Sequence, residues 1–267
     1  MGQEHRAITM IRITFALRRK QNLEFEEFQE YWREKHGPLV ASHSSHLKIR
    51  RYVQVHTLGN PDAERPEGER GKMQRPFDGV AELWFDSLDD IRNSDSAAVD
   101  ASLELLEDER QFIDLSQSPG WLAYECPQIN PSPEKLVASP DSPYAKLYYL
   151  LNYPEGRSFD EVQLYWRMNH GPLVRHYGPL LQILRYVQVH RFDDEFNDTF
   201  ASARGTVIPA YFGHAELWYD QRRPANQSPF AKKGETALYE DEAKFIDFSR
   251  SALWFAKEHV FVDRQRY

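Results

Sequence analysis

Two histidines, His36 and His170, stand at the same place in one phrase written twice: YWREKHGPLV at 31–40 and YWRMNHGPLV at 165–174. Each follows a tryptophan by four residues, so on a helix Trp and His share a face, near the helix C-terminus. There the negative end of the helix dipole favours imidazolium while burial favours the neutral ring, a balance that suits a general acid or base near neutral pH. The same position also suits a histidine that binds a terminal carbonyl and fixes the Gly-Pro step behind it. A second set lies on strands: Glu82 in AELWFD, Glu216 in AELWYD, and His214 two residues before Glu216. A carboxylate beside a histidine orients the ring and raises its basicity, as proton abstraction next to a carbonyl requires. Equally, these glutamates can form ion pairs with Arg33, Arg167, Arg51 or Arg185. The halves differ where Val80 becomes His214, Thr14 becomes Tyr148, and His43 and His46 become Tyr177 and Leu180. In the second half His170, His214 and Glu216 are expected to converge, with Tyr148 or Tyr177 as a further donor. In the first half the set is His36, His43 and Glu82.

The elements that must hold these groups also come in pairs. RRYVQVH at 50–56 returns as LRYVQVH at 184–190, and sixteen of 26 positions are identical between 31–56 and 165–190. Each half reads as strand, helix, strand, strand, helix, strand, a two-layer α+β unit with helices on one sheet face. The first strand is expected at 10–17, where MIRITFAL alternates. The first helix opens at Asn22 and carries Phe25, Phe28, Trp32, His36 and Leu39 inward. Pro38 and Pro172 should break or kink each helix just after its histidine. Later strands fall at 49–58, 79–85 and 120–125, and at 183–192, 213–219 and 253–259; second helices fall near 101–114 and 236–247. Two long segments, 59–77 and 193–211, read as lids or surface excursions. A proline-rich linker at 127–144 divides the chain into units 1–126 and 145–267.

Two bare sheet faces packed together would enclose an interior. Strand parity then sends Tyr52, Gln54 and His56 inward, with Val80, Glu82 and Trp84; their counterparts are Tyr186, Gln188 and His190, then His214, Glu216 and Trp218. So polar a lining is costly unless hydrated or occupied, which points to a cavity with a ligand. Trp32, Trp84, Trp166 and Trp218 suit either flat walls for a ring substrate or plain core. His56 and His190, at strand ends, suit backbone or loop partners.

Composition sets limits. A net charge of -8 leaves no basic stripe for nucleic acid. No apolar run approaches the ~20 residues a membrane span needs, and the first eight residues lack a secretory pattern. One cysteine, Cys126, fits a reducing compartment, so a cytoplasmic protein is expected. No HExxH, cysteine cluster, glycine-rich phosphate loop or serine elbow occurs, so neither a metal nor a nucleotide cofactor is expected.

The YW-R-x-x-H-x-P-L phrase followed by RYVQVH, present twice, resembles the EthD family of the dimeric α/β-barrel superfamily. The resemblance covers 10–125 and 145–259. It implies two ferredoxin-like βαββαβ units fused into an intramolecular dimeric barrel, and hence a monomeric pseudo-dimer unless outer faces make a homodimer. It also implies a pocket beside the histidine for a small hydrophobic or aromatic substrate. Some relatives resemble decarboxylases or dehydratases of polyketide pathways; more distant ones are cyclases, isomerases, cofactor-free oxygenases or haem enzymes. The expected function is therefore a cofactor-independent lyase or isomerase working by His/Glu acid–base chemistry in the barrel. The alternatives are a binding module for a hydrophobic metabolite and, third, a haem protein.

Overall fold

A computed structural model describes residues 10–131 and 136–264. The first eight residues and Pro133 of the expected linker lie outside them. The first unit runs β1 (Ile11–Leu17), α1 (Phe25–Tyr31), α2 (Gly37–His43), β2 (Arg51–Thr57), β3 (Gly79–Phe85), α3 (Leu88–Arg92), α4 (Ser96–Phe112) and β4 (Gly120–Ile129). The second runs β5 (Tyr144–Leu151), α5 (Phe159–Tyr165), α6 (Gly171–Tyr177), β6 (Arg185–Arg191), α7 (Glu195–Arg204), β7 (Gly213–Asp220), α8 (Pro229–Glu242) and β8 (Ala252–Asp263). β1 pairs with β3 and β4, and β3 with β2, which gives the ferredoxin-like order β4-β1-β3-β2; β6-β7-β5-β8 repeats it. Each sheet alone would leave two open edges. The chain joins β2 to β8 and β4 to β6, both antiparallel, and closes an eight-stranded barrel within itself. β4 runs beyond the expected strand end into the linker, and its register slips between Pro127 and Ile129, where the ladder meets a residue without an N–H.

The first helix does not break at its proline. Between α1 and α2 the chain makes a π-turn over Trp32–His36, and Gly37 stays helical at φ −57° and ψ −53°. Its N–H donates to the Trp32 carbonyl, five residues back, and Trp166–His170 does the same with Gly171. Proline at the next position lacks an N–H and crowds the carbonyl four back, so a wider turn takes up the mismatch while the helix continues. A Cβ at Gly37 would run into the Phe261 ring and the Gln54 amide.

The helices cover the outer sheet faces, so three cores form. Two lie between sheet and helices, around Trp32 and around Trp166; the third fills the barrel. Strand parity is as expected on β3 and β7, whose Glu82, Trp84, His214, Glu216 and Trp218 point into the barrel. On β2 and β6 it is the reverse. Val53, Val55, Val187 and Val189 are wholly buried in the barrel core, while Tyr52, Gln54 and His56, with Tyr186, Gln188 and His190, face the helices. The reason lies in the π-turn: Gln54 Nε2 donates to the Trp32 carbonyl at 2.7 Å and Gln188 Nε2 to the Trp166 carbonyl at 2.8 Å. Each of these carbonyls already accepts from the glycine that ends its π-turn, and the glutamine adds a second hydrogen bond from the polar strand face turned outward.

The two long segments cross over. α7 is capped by Asp194 and ends at Gly205 with φ 64°; it lies on the first unit, where Arg204 binds Glu109 of α4. In the other direction the segment after β2 brings Arg70 to Glu242 of α8. Each half therefore covers the other. Among the described residues, no helix is long and apolar enough to cross a membrane.

Candidate active site between sheet and helices

The barrel centre is occupied by the protein's own charges. Arg12 Nη2 sits 2.5 Å from Glu82 Oε1 and 2.9 Å from His214 Nε2, and also contacts Glu216 Oε1. Lys146, its counterpart on β5, places Nζ 3.0 Å from Glu82, 3.1 Å from Glu216 and 3.3 Å from Glu258. Trp84 Nε1 donates to Glu125 and Trp218 Nε1 to Glu258. Tyr148 stacks on His214 with centroids 4.6 Å apart, its hydroxyl 2.8 Å from Nε2. All of these are buried except Glu125, which is partly exposed.

Burial sets the proton states. It lifts Glu82 to about 8 although Arg12 pulls the other way, and it drops His214 to about 3 although Glu216 opposes this. On Glu216, burial is outweighed by Arg12 and Lys146, and the carboxyl stays well below its ordinary range. A carboxylate locked to two cations is a weak base. Glu82, Glu216, His214, Tyr148, Trp84 and Trp218 meet in a buried ionic and aromatic cluster at the barrel centre. The ligand atoms of Glu82, His214 and Glu216 do lie within 4.8 Å of one another, as around a divalent ion. Arg12 Nη2 touches all three, so a guanidinium already supplies the cation at that spot.

Open volume lies on the other sheet face, between sheet and helices. In the first unit a cavity of about 330 Å³ is lined by His36, Trp32, Tyr52 and Phe15, and roofed by Phe196, Phe200 and Arg204 of the crossing α7. In the second a cavity of about 640 Å³ is lined by His170, Trp166, Tyr186 and Tyr149, with Glu69 and Arg70 crossing from the first half. Both histidines end their π-turns at these walls. His36 Nδ1 is 2.7 Å from Asp108 Oδ2, and Tyr31 donates to the same carboxyl at 2.8 Å. His170 Nδ1 is 2.9 Å from Asp241 Oδ2, with Tyr165 at 2.6 Å and Lys244 at 3.1 Å on Oδ1. Burial would raise both aspartates, but the hydrogen bonds from histidine and tyrosine outweigh it; Asp108 is lowered and Asp241 falls to about 2. An ionised Asp accepts the Nδ1 proton, and in a neutral ring held this way Nε2 is the bare nitrogen. Among the described residues Nε2 has no hydrogen-bond partner in either half.

Of the other expected site residues, Trp32, Trp166, Tyr52 and Tyr186 line these cavities. Gln54 and Gln188 are π-turn scaffolding, and the Oε1 of each also lies 2.8 Å or 3.2 Å from Nε2 of its neighbouring strand-end histidine. His43 pairs with Glu104 outside the cavity, and Tyr177 packs against Gly234 of α8. Reading the sequence missed Asp108 and Asp241, although both sit in a repeated Glu-Asp-Glu just before FID. It missed Arg70 and Arg204 too, both followed by glycine and 134 residues apart.

The EthD domain model matches this chain at residues 20–116 and again at 154–249. Among solved structures the chain is similar to a monooxygenase-like protein from Lactobacillus acidophilus NCFM, at 9% identity and TM-score 0.47, over 96% of this chain and 97% of that one. It is likewise similar to a chlorite dismutase-like protein, at 8% identity and TM-score 0.45, over 94% and 95%. No protein of curated function matches it. With the family model covering most of both halves, the chain belongs to the EthD family and carries two EthD domains in tandem.

Proposed function

We propose that this chain is a small-molecule lyase or isomerase that moves a proton on an aromatic or polyketide-like substrate held between sheet and helices. Decarboxylation, dehydration, cyclisation and a proton shift all fall within that chemistry. The observation that carries the reading is the His–Asp pair at each cavity wall, its Nδ1 bonded to an ionised aspartate and its Nε2 unpaired. Such a histidine takes a proton from the carbon next to a carbonyl, and the aspartate stabilises the imidazolium that forms. Returning the proton to a different atom completes an isomerisation or the loss of water. Trp166 and Tyr186 supply aromatic walls beside His170, as Trp32 and Tyr52 do beside His36.

A second reading, a binding module for a hydrophobic metabolite, is favoured by one fact: the His–Asp–Tyr set also ties the π-turn to α4 or α8 and has structural value without chemistry. One experiment separates the two. Purified protein is incubated with a panel of aromatic and polyketide-type oxo and hydroxy acids, and products are followed by mass spectrometry. The enzyme reading expects conversion by the wild type that falls at least a hundredfold in His170→Asn or His36→Asn, with the fold retained. Full conversion by the double variant, or none by the wild type, sinks it.

A further inference from the structure

The two cavities are copies whose far walls have changed chemistry. Phe15 and Phe85 line the first; the corresponding strand positions of the second are Tyr149 and Tyr219, which line it. Around these positions the frame is conserved. Arg204 lies 5.2 Å over the Phe15 ring while bound to Glu109, and Arg70 lies 5.7 Å over the Tyr149 ring while bound to Glu242. In the first cavity Phe200 closes edge-on against Phe15 at 5.1 Å, and neither Phe15 nor Phe85 carries a hydrogen-bond donor. In the second, Tyr149 is only 5% exposed, and its Oη lies against the Arg70–Glu242 pair, which holds it by side-chain hydrogen bonds. Phe15 offers no such donor at the same place in the first cavity.

We infer that the second cavity selects an apolar ligand bearing a carbonyl or ether oxygen, with Tyr149 and Tyr219 as the specificity-determining donors, whereas the first takes a ligand without oxygen at that end. Both phenols are fit to donate. Burial first, and the Glu242 carboxylate next, push each well above its ordinary range, so the hydroxyl hydrogen is held at any physiological pH. The size difference, about 640 Å³ against about 330 Å³, points the same way, because the second cavity has room for substituents on a ring. The inference rests on reading the cavities as ligand sites, but its readout is binding rather than turnover, so an inactive protein does not decide it.

The test uses two probes of one shape, 2-acetylnaphthalene and 2-isopropenylnaphthalene, which differ in a carbonyl oxygen against a methylene. Titration calorimetry of the full chain is expected to show one site that prefers the ketone about three- to tenfold, and one site without preference. Tyr149→Phe should remove most of that preference, and the double variant with Tyr219→Phe all of it, with hydrocarbon affinity unchanged. Persistence of the preference in the double variant overturns the inference. So does equal affinity of the wild type for both probes, failure to bind either at millimolar concentration, or loss of the preference only in His170→Asn.

Discussion

Replacing Arg12 by Met keeps an unbranched buried stem but removes the guanidinium whose charge Glu82, Glu216 and His214 share. Lys146 then remains as the cation within 3.3 Å of Glu82, Glu216 and Glu258 at the barrel centre. Removing one partner of a buried ion pair costs about 3–5 kcal/mol, because the remaining charge is left unpaired in a dry site. At about 2–4 °C per kcal/mol for a chain of this size, the melting temperature should fall by about 6–20 °C.

The pH dependence carries the stronger test. In the wild type Glu216 is depressed, so it contributes stability above its ordinary value of 4.5, and that contribution is lost as pH falls through the lowered value. Glu82 is raised to about 8, so its neutral form contributes below 4.5 and the contribution is lost as pH rises through 8. Without Arg12, burial dominates at Glu216 as well, and its charged form becomes a penalty that protonation relieves. The gap in melting temperature between wild type and Arg12→Met should therefore be widest near pH 8–9 and narrow toward pH 5. Thermal melts by circular dichroism across pH 5–9 measure it. Equal melting at every pH, or a gap that widens on acidification, refutes the account of the barrel centre as an ionic network.

Two further outcomes test the scaffolding of the cavities. Gln188→Leu leaves the Trp166 carbonyl without its side-chain donor and should destabilise the chain by about 1–3 kcal/mol, read as a shift in urea midpoint with unchanged slope. Arg204→Ala removes the anchor between α7 and Glu109; hydrogen exchange should quicken about tenfold or more across 195–204 while β1 and β3 keep their protection. Unchanged exchange in that segment would show that Phe196 and Phe200 hold the roof unaided.

The duplication, the strand–helix order and the closed barrel were legible because they rest on repeated phrases and on alternation, which the chain states openly. The direction of β2 was not. Val53 and Val55 look like a helix-facing pair, yet the hydrogen bond from Gln54 to the Trp32 carbonyl follows only once the π-turn exists, and nothing in the proline spacing announces a π-turn rather than a break. The histidines that reach a cavity wall were visible in the phrase that carries them. Their aspartates were not, although the Glu-Asp-Glu triplet recurs, because a charge run on a helix reads as a solvated face. The pairing of the charged strand residues was hidden because a cation on β1 and another on β5 are hard to match with carboxylates three strands away before the barrel closes. Arg12 and Lys146 hold the same place in the two halves, and only closure brings both to Glu82 and Glu216.

The exchange of roofs across the molecule bears on what either half can be alone. A separated first half would carry Arg70 but no α7, so its chamber would stand open until a second copy arrived. Two such copies could meet along the same strand edges and give each other Arg70 for Glu109, but the result would be a body with twin chambers of one kind. Joining two unlike halves in a single polypeptide escapes that symmetry. One chamber can then drift in size and polarity while its roof is encoded, and separately adjustable, in the sequence of its neighbour.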